Sequence, residues 1–110
     1  MQSLNKIALV QLISGETLIG QVRTEGEERI GINFPFMLVT TSNGIGHLQP
    51  WIFCKEMDSE TDELVLNPLS IVTIATPTDD IFEAYNELRN SRFSKIVKPT
   101  KDQQKIITNT

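Results

Sequence analysis

With 110 residues, 39% of them hydrophobic and 22% charged, the chain has the length and composition of one soluble globular domain. It has no apolar run near the roughly 20 residues that span a bilayer, and its single cysteine, Cys54, excludes an internal disulfide and fits a reducing cytoplasm. The net charge of −4 divides unevenly: residues 1–88 hold four basic against 13 acidic side chains, a balance of −9, whereas residues 89–110 hold six basic against one acidic, a balance of +5.

The first segment, Ile7–Ile13, is rich in apolar residues. It contains Gln11, has only Lys6 ahead of it and lacks a small-residue cleavage pattern, so it reads as a strand of the mature protein and not as a signal peptide. Ser14-Gly15-Glu16 predicts a turn. Leu18–Thr24 alternates loosely, with Leu18, Gly20 and Val22 on one face, and EGEER (25–29) has the composition of a hairpin tip. Ile30, Ile32 and Phe34 alternate, Pro35 bends the chain, and Phe36–Thr41 continues as a strand. Asn43-Gly44 is a strong hairpin signal because both residues tolerate positive φ.

Ile45–Lys55 follows as a strand in which Pro50 marks an edge or a bend. EMDSETDE (56–63) reads as a solvated acidic loop, and LVLNPLSIVTIA (64–75) as one or two β-branched strands. Residues 1–77 are thus five or six short strands spaced as hairpins. That pattern predicts a mainly β domain, a small, strongly bent antiparallel open barrel. After Pro77, Thr78 can cap a helix, and Asp79 and Asp80 suit its positive end. Ile81, Phe82, Tyr85 and Leu88 give it an apolar stripe, so one C-terminal helix is predicted over residues 78–94. The polar, proline-broken stretch 95–110 reads as a flexible basic tail.

The stretch GETLIGQV (15–22) spaces two glycines as a phosphate-binding loop does. That loop needs Lys for the phosphates and Ser or Thr for magnesium, where this chain has Gln21 and Val22. A bent strand accounts for both glycines, Gly15 at a turn and Gly20 where a missing side chain permits sharp bending. DSETDE (58–63) opens like a calcium loop, with Asp58, Glu60 and Asp62. Glu63 stands where glycine is needed, and Leu69 at the twelfth place, so a solvated hairpin tip is the better reading. His47 and Cys54 fall on opposite faces of one extended strand, about 20 Å apart, and cannot act together. No zinc-ligand spacing and no acid/base pair is present, so neither a cofactor nor an enzymatic activity is expected.

LISGETLIGQV, the polar loop after it and RIGINF together resemble the first motif of the Sm and Sm-like protein family. Gly15, Gly20, Val22, Ile32 and Asn33 occupy the matching places. NPLSIVTI (67–74) resembles the second motif, and the acidic body with compact hairpins is similar to the small Sm-like proteins of marine cyanophages. The resemblance covers residues 6–76. It implies an open barrel of bent strands that joins edge to edge into a homo-oligomeric ring, usually one that binds single-stranded RNA. Cytoplasmic localisation follows, in the host if the chain is phage-encoded. The family's helix usually precedes the barrel, whereas the predicted helix here follows it.

Several family positions differ. The motif Asp is Arg29, the base-stacking position is Gly31, and the Arg-Gly pair of the second motif is Asn67-Pro68. Asn33 carries over as a base-contacting amide, with Asn67 a substitute, Phe34 in the ligand-facing loop and Arg29 a further nucleic-acid-binding candidate. Trp51 shares a strand face with His47, Gln49 and Phe53, a face that packs or stacks on bases. Arg89, Arg92, Lys95, Lys98 and Lys101 recur every third residue and supply phosphate affinity. The leading expectation is a non-enzymatic ring subunit that binds single-stranded nucleic acid, RNA in preference to DNA. The alternative is a structural or protein-interaction ring with a protein partner; neither involves a membrane.

Overall fold

The computed structural model describes residues 4–26, 28–43 and 46–93. Strands β1 (Leu4–Leu12), β2 (Thr17–Glu25) and β3 (Arg29–Thr40) form an antiparallel meander. The other edge of β3 carries two partners in line, β4 (Gly46–Pro50) on its second half and β5 (Leu64–Leu66) on its first. Strand β6 (Ile71–Ala75) crosses back to pair with β1, and helix α1 (Asp79–Phe93) follows. The sheet order is β4-β3-β2-β1-β6 with β5 beside β3, and no described strand closes β6 onto β4 or β5. This is the bent, open antiparallel sheet of six strands with one C-terminal helix expected from the sequence, and it matches the Sm-like description.

The turns obey local chemistry. Gly15 takes φ +102 between β1 and β2, and Gly26 takes φ +67 between β2 and β3; side-chain-bearing residues avoid both conformations. Asn67 accepts a hydrogen bond from Leu69 N at 3.0 Å, which starts a 3-10 turn over Pro68–Ser70 and splits residues 64–75 into β5 and β6.

Gly20 and Pro35 act at the same bend. The β2–β3 register pairs Ile19 with Phe36 and Gln21 with Asn33, so Phe34 and Pro35 together stand opposite Gly20, a β-bulge in β3. A Cβ on Gly20 would lie 2.9 Å from the Asn33 carbonyl oxygen and 2.6 Å from Ile32 Cγ1, so only glycine fits there. Phe34 itself takes φ +52, rare for a bulky side chain and rarer still before proline.

That conformation reverses the alternation of β3. Ile30 and Ile32 enter the barrel interior with Ala8, Val10, Leu12, Leu18, Val22 and Leu66. Phe34 and Phe36, of the same parity, turn instead to the opposite face, against Ile19, Met57, Tyr85 and Phe93. The sequence reading placed Ile30, Ile32 and Phe34 in one alternating row; the left-handed residue breaks it. The sheet therefore has two cores, one inside its curve and one beneath α1.

Three further expectations are corrected. Strand β4 ends at Pro50, where Ile45–Lys55 was expected to run on. Trp51 leaves the expected face, packs on the interior core and donates Nε1–H to Glu16 Oε2 at 3.1 Å. The acidic segment 56–63 keeps Asp58, Glu60, Thr61 and Asp62 exposed as expected, but it is not a plain hairpin tip: it begins in a 3-10 turn at Lys55–Asp58 and buries Met57. Helix α1 packs through Ile81, Tyr85 and Phe93, four and then eight residues apart, while Phe82 and Leu88 stay 39% and 37% exposed. The Asn43-Gly44 turn lies partly, and the basic stretch from residue 94 wholly, outside the described residues.

Candidate functional site

The residues carried over from the family motif meet at the bulge. Asn33 is buried, and both ends of its amide are engaged within the fold. Its Nδ2 donates to the Asp62 carbonyl at 2.6 Å and to the Ser59 carbonyl at 3.4 Å, and its Oδ1 accepts from Arg89 Nη2 at 3.0 Å. Phe34 is 3% exposed, its ring 5.0 Å from that of Phe93 and 4.8 Å from that of Phe36. The Tyr85 hydroxyl lies 2.8 Å from the Phe34 carbonyl and 3.2 Å from the Asn33 carbonyl, where its one hydrogen is shared. Burial pushes that hydroxyl up to about 12, against the opposing pull of Arg89 and the Gln21 backbone N–H.

Near Asn33, a carboxylate stands over Gly31. A Cβ on Gly31 would lie 2.6 Å from Glu63 Oε1, so Glu63 lies directly over this glycine. Arg23 grips Glu63 with both Nε and Nη2 at 2.9 Å, and Arg29 stands 3.6 Å from Glu63 and from Glu25. The Arg23 hydrogen bond holds the Glu63 carboxylate below the usual range, against the opposing effect of its burial. The segment 59–63 thus closes over the motif with two backbone carbonyls and one ion-paired carboxylate.

The remaining predicted residues divide into groups. Arg89 joins Asn33; its Nε is buried with no hydrogen-bond partner among the described residues. Arg92 pairs with Asp58 beside an apolar cleft of ≈ 230 Å³ lined by Phe34, Phe36 and Met57. Asn67 is spent on its turn; it follows Leu66, the register partner of Ile30, and so lies at the Arg29 end of β3. Lys95, Lys98 and Lys101 lie outside the described residues. Sequence reasoning missed the roles of Glu63 and Tyr85. Tyr85 was visible as a helix-stripe aromatic, but nothing local marks its hydroxyl's target 51 residues away.

Among the described residues no group of three or more His, Cys, Asp or Glu side chains is arranged to hold a metal, and no helix is long and apolar enough to cross a membrane. Among the described residues the sheet stays open on both sides, along the outer edge of β6 and along the outer edges of β5 and β4, which lie in line. Beside them Val72, Val65, Leu69 and Ile13 are 58–85% exposed, and Ile13 N donates to Ser70 O at 2.8 Å, which ties the end of β1 to the β5–β6 turn. The fold thus defines a small open-edged β module with a single covering helix. Neither the protein-family models nor the curated proteins compared with this chain match it.

Proposed function

We propose that the chain is a non-enzymatic Sm-like subunit that associates with its own copies, edge to edge, into a homo-oligomeric ring serving as a structural or protein-interaction module. The observation that carries this reading is the pair of open edges on one sheet, β5 and β6, each next to exposed aliphatic side chains. An unpaired edge invites another strand, and a head-to-tail contact between two different edges closes into a ring when its rotation permits. The engaged Asn33 amide and the Glu63 carboxylate over Gly31 favour a scaffold over a base pocket.

Sedimentation of the full chain tests it. A discrete oligomer, reduced to monomer by Val72→Glu with an unchanged circular dichroism spectrum, is the expected result. A monomer at tens of micromolar would overturn it.

The charge division supports a second reading, a ring that binds single-stranded nucleic acid, RNA in preference to DNA, through Arg89, Arg92, Lys95, Lys98 and Lys101. The measurement is fluorescence anisotropy of a uridine-rich RNA and a matched DNA at low and high salt. The lysines should be changed to Gln rather than removed by truncation at residue 88, because that cut also removes Arg89 and the buried Phe93. Loss of about two units of salt slope on changing three lysines supports this reading; absence of binding at every salt concentration removes it.

A further inference from the structure

Strand β4 pairs with β3 on one side, and no described strand covers its other edge. Between that edge and α1 run two adjoining hollows of ≈ 230 and ≈ 450 Å³, which share His47, Leu48 and Ala84 and so form one trough. Its apolar lining is aliphatic: Leu38 and Leu48 from the sheet, Ile81, Ala84 and Leu88 from the helix. Two carboxylates, Asp80 and Glu87, stand along its helical wall, and no Lys or Arg among the described residues lines it. From Asp80 to Ser91 the helix rises about 16 Å, the length of roughly five residues of extended chain.

We propose that this trough is a docking site for a short, extended, basic peptide of another polypeptide, one with aliphatic side chains flanked by lysines. The peptide adds as a strand to the free edge of β4. Backbone hydrogen bonds to an edge supply affinity without sequence information, and the pockets beside the edge select alternate side chains. The apolar floor accepts every second residue, and the wall of acids selects lysines against glutamates. Asp80 is already held as a carboxylate by the Thr78 hydroxyl 2.5 Å away, so it meets the peptide charged.

The inference names the partner class for the interaction reading above. The trough lies within one protomer and uses β4 rather than β5 or β6, so a failure here is distinguishable from a failure to form the ring.

The test titrates the peptide Lys-Val-Thr-Val-Lys into the isotopically labelled full chain and follows backbone amide shifts by NMR. The expected result is saturable shifts in residues 47–49 and 80–88, with at least tenfold weaker binding of Glu-Val-Thr-Val-Glu. Glu87→Lys should weaken the basic peptide fivefold or more. Ala84→Arg, which fills the trough from an exposed helical position, should abolish binding with the spectrum elsewhere unchanged. Equal affinity for the two peptides, or shifts confined to other surfaces, overturns the proposal.

Two controls identify a different occupant, and each would also overturn it. Trough amides that move with protein concentration alone assign the site to a second copy. Binding gained only after changing Lys95, Lys98 and Lys101 to Gln assigns it to the chain's own basic residues.

Discussion

Tyr85→Phe removes one oxygen and leaves the ring in place. That oxygen holds the carbonyls of Phe34, in the bulge of β3, and of Asn33, the residue just before it. Deleting a buried donor costs roughly 1–3 kcal/mol when its acceptors stay buried, and Phe34 is also held at φ +52 against a conformational preference of ~1 kcal/mol or more. The expected loss is about 2 kcal/mol, or a fall in Tm of about 10 °C for a domain of this size. Urea unfolding followed by the fluorescence of Trp51, the only tryptophan, measures it.

A second readout isolates the same hydroxyl. Tyr85 is the only tyrosine, and its folded pKa of about 12 exceeds the unfolded value of ~10. The unfolded chain therefore ionises first. The stability this group contributes is intact below pH 10 and is lost as the pH rises towards 12, up to ~3 kcal/mol for two pH units. In the parent protein, tyrosinate absorbance should rise near pH 12, and stability should fall steeply above pH 10. Tyr85→Phe should lack this part of the fall. A variant within 0.5 kcal/mol of the parent, with the same alkaline slope, would refute the account of the bulge.

Gly20→Ala should lower stability by ~2 kcal/mol or more in thermal melts, since the new methyl meets a backbone carbonyl that cannot move freely. Gly15→Ala meets nothing within 4 Å and should cost only the ~1 kcal/mol of its φ of +102. Glu63→Gln changes the acid limb of the stability curve. The depressed carboxylate contributes above its unfolded pKa of about 4.3, and that contribution is lost as the pH falls through the lower folded value. The variant should therefore be flatter below about pH 4 and about 1 kcal/mol less stable at pH 7, a modest figure because both arginines are partly exposed. Arg89→Met leaves Asn33 Oδ1 without its donor and should cost ~1–2 kcal/mol by urea titration, with the helical signal of α1 retained.

The parts of the fold written in neighbouring residues were legible in the sequence. Gly15, the EGEER tip and the alternation on either side of them fix β1, β2 and the start of β3, because turn chemistry and periodicity act within a few residues. The face of Phe34 was not legible. Its parity follows Ile30 and Ile32, and only the bulge opposite Gly20, closed by a hydroxyl from the C-terminal helix, sends it the other way.

The surroundings of Asn33 were hidden for the same reason. Its place in the motif was readable, but its partners Asp62 and Arg89 lie 29 and 56 residues away. Composition alone did not show that the 56–63 segment is tied to the sheet, since seven of its eight residues are charged or hydroxylated. Its backbone carbonyls, which sequence does not advertise, are what tie it down.

The in-line arrangement of β4 and β5 bears on how such a chain can diversify. The polypeptide leaves the edge of β3 at Pro50 and rejoins that edge at Leu64, so residues 51–63 form an excursion with both ends at one boundary of the sheet. Lengthening or exchanging its outer part, around the exposed Phe53, changes neither strand count nor strand order. A replacement cassette that leaves Trp51 and Met57 in their cores has to bring a carbonyl back to Asn33 and an acid back over Gly31. New surface chemistry can thus be written into this one segment while the rest of the sheet is inherited intact.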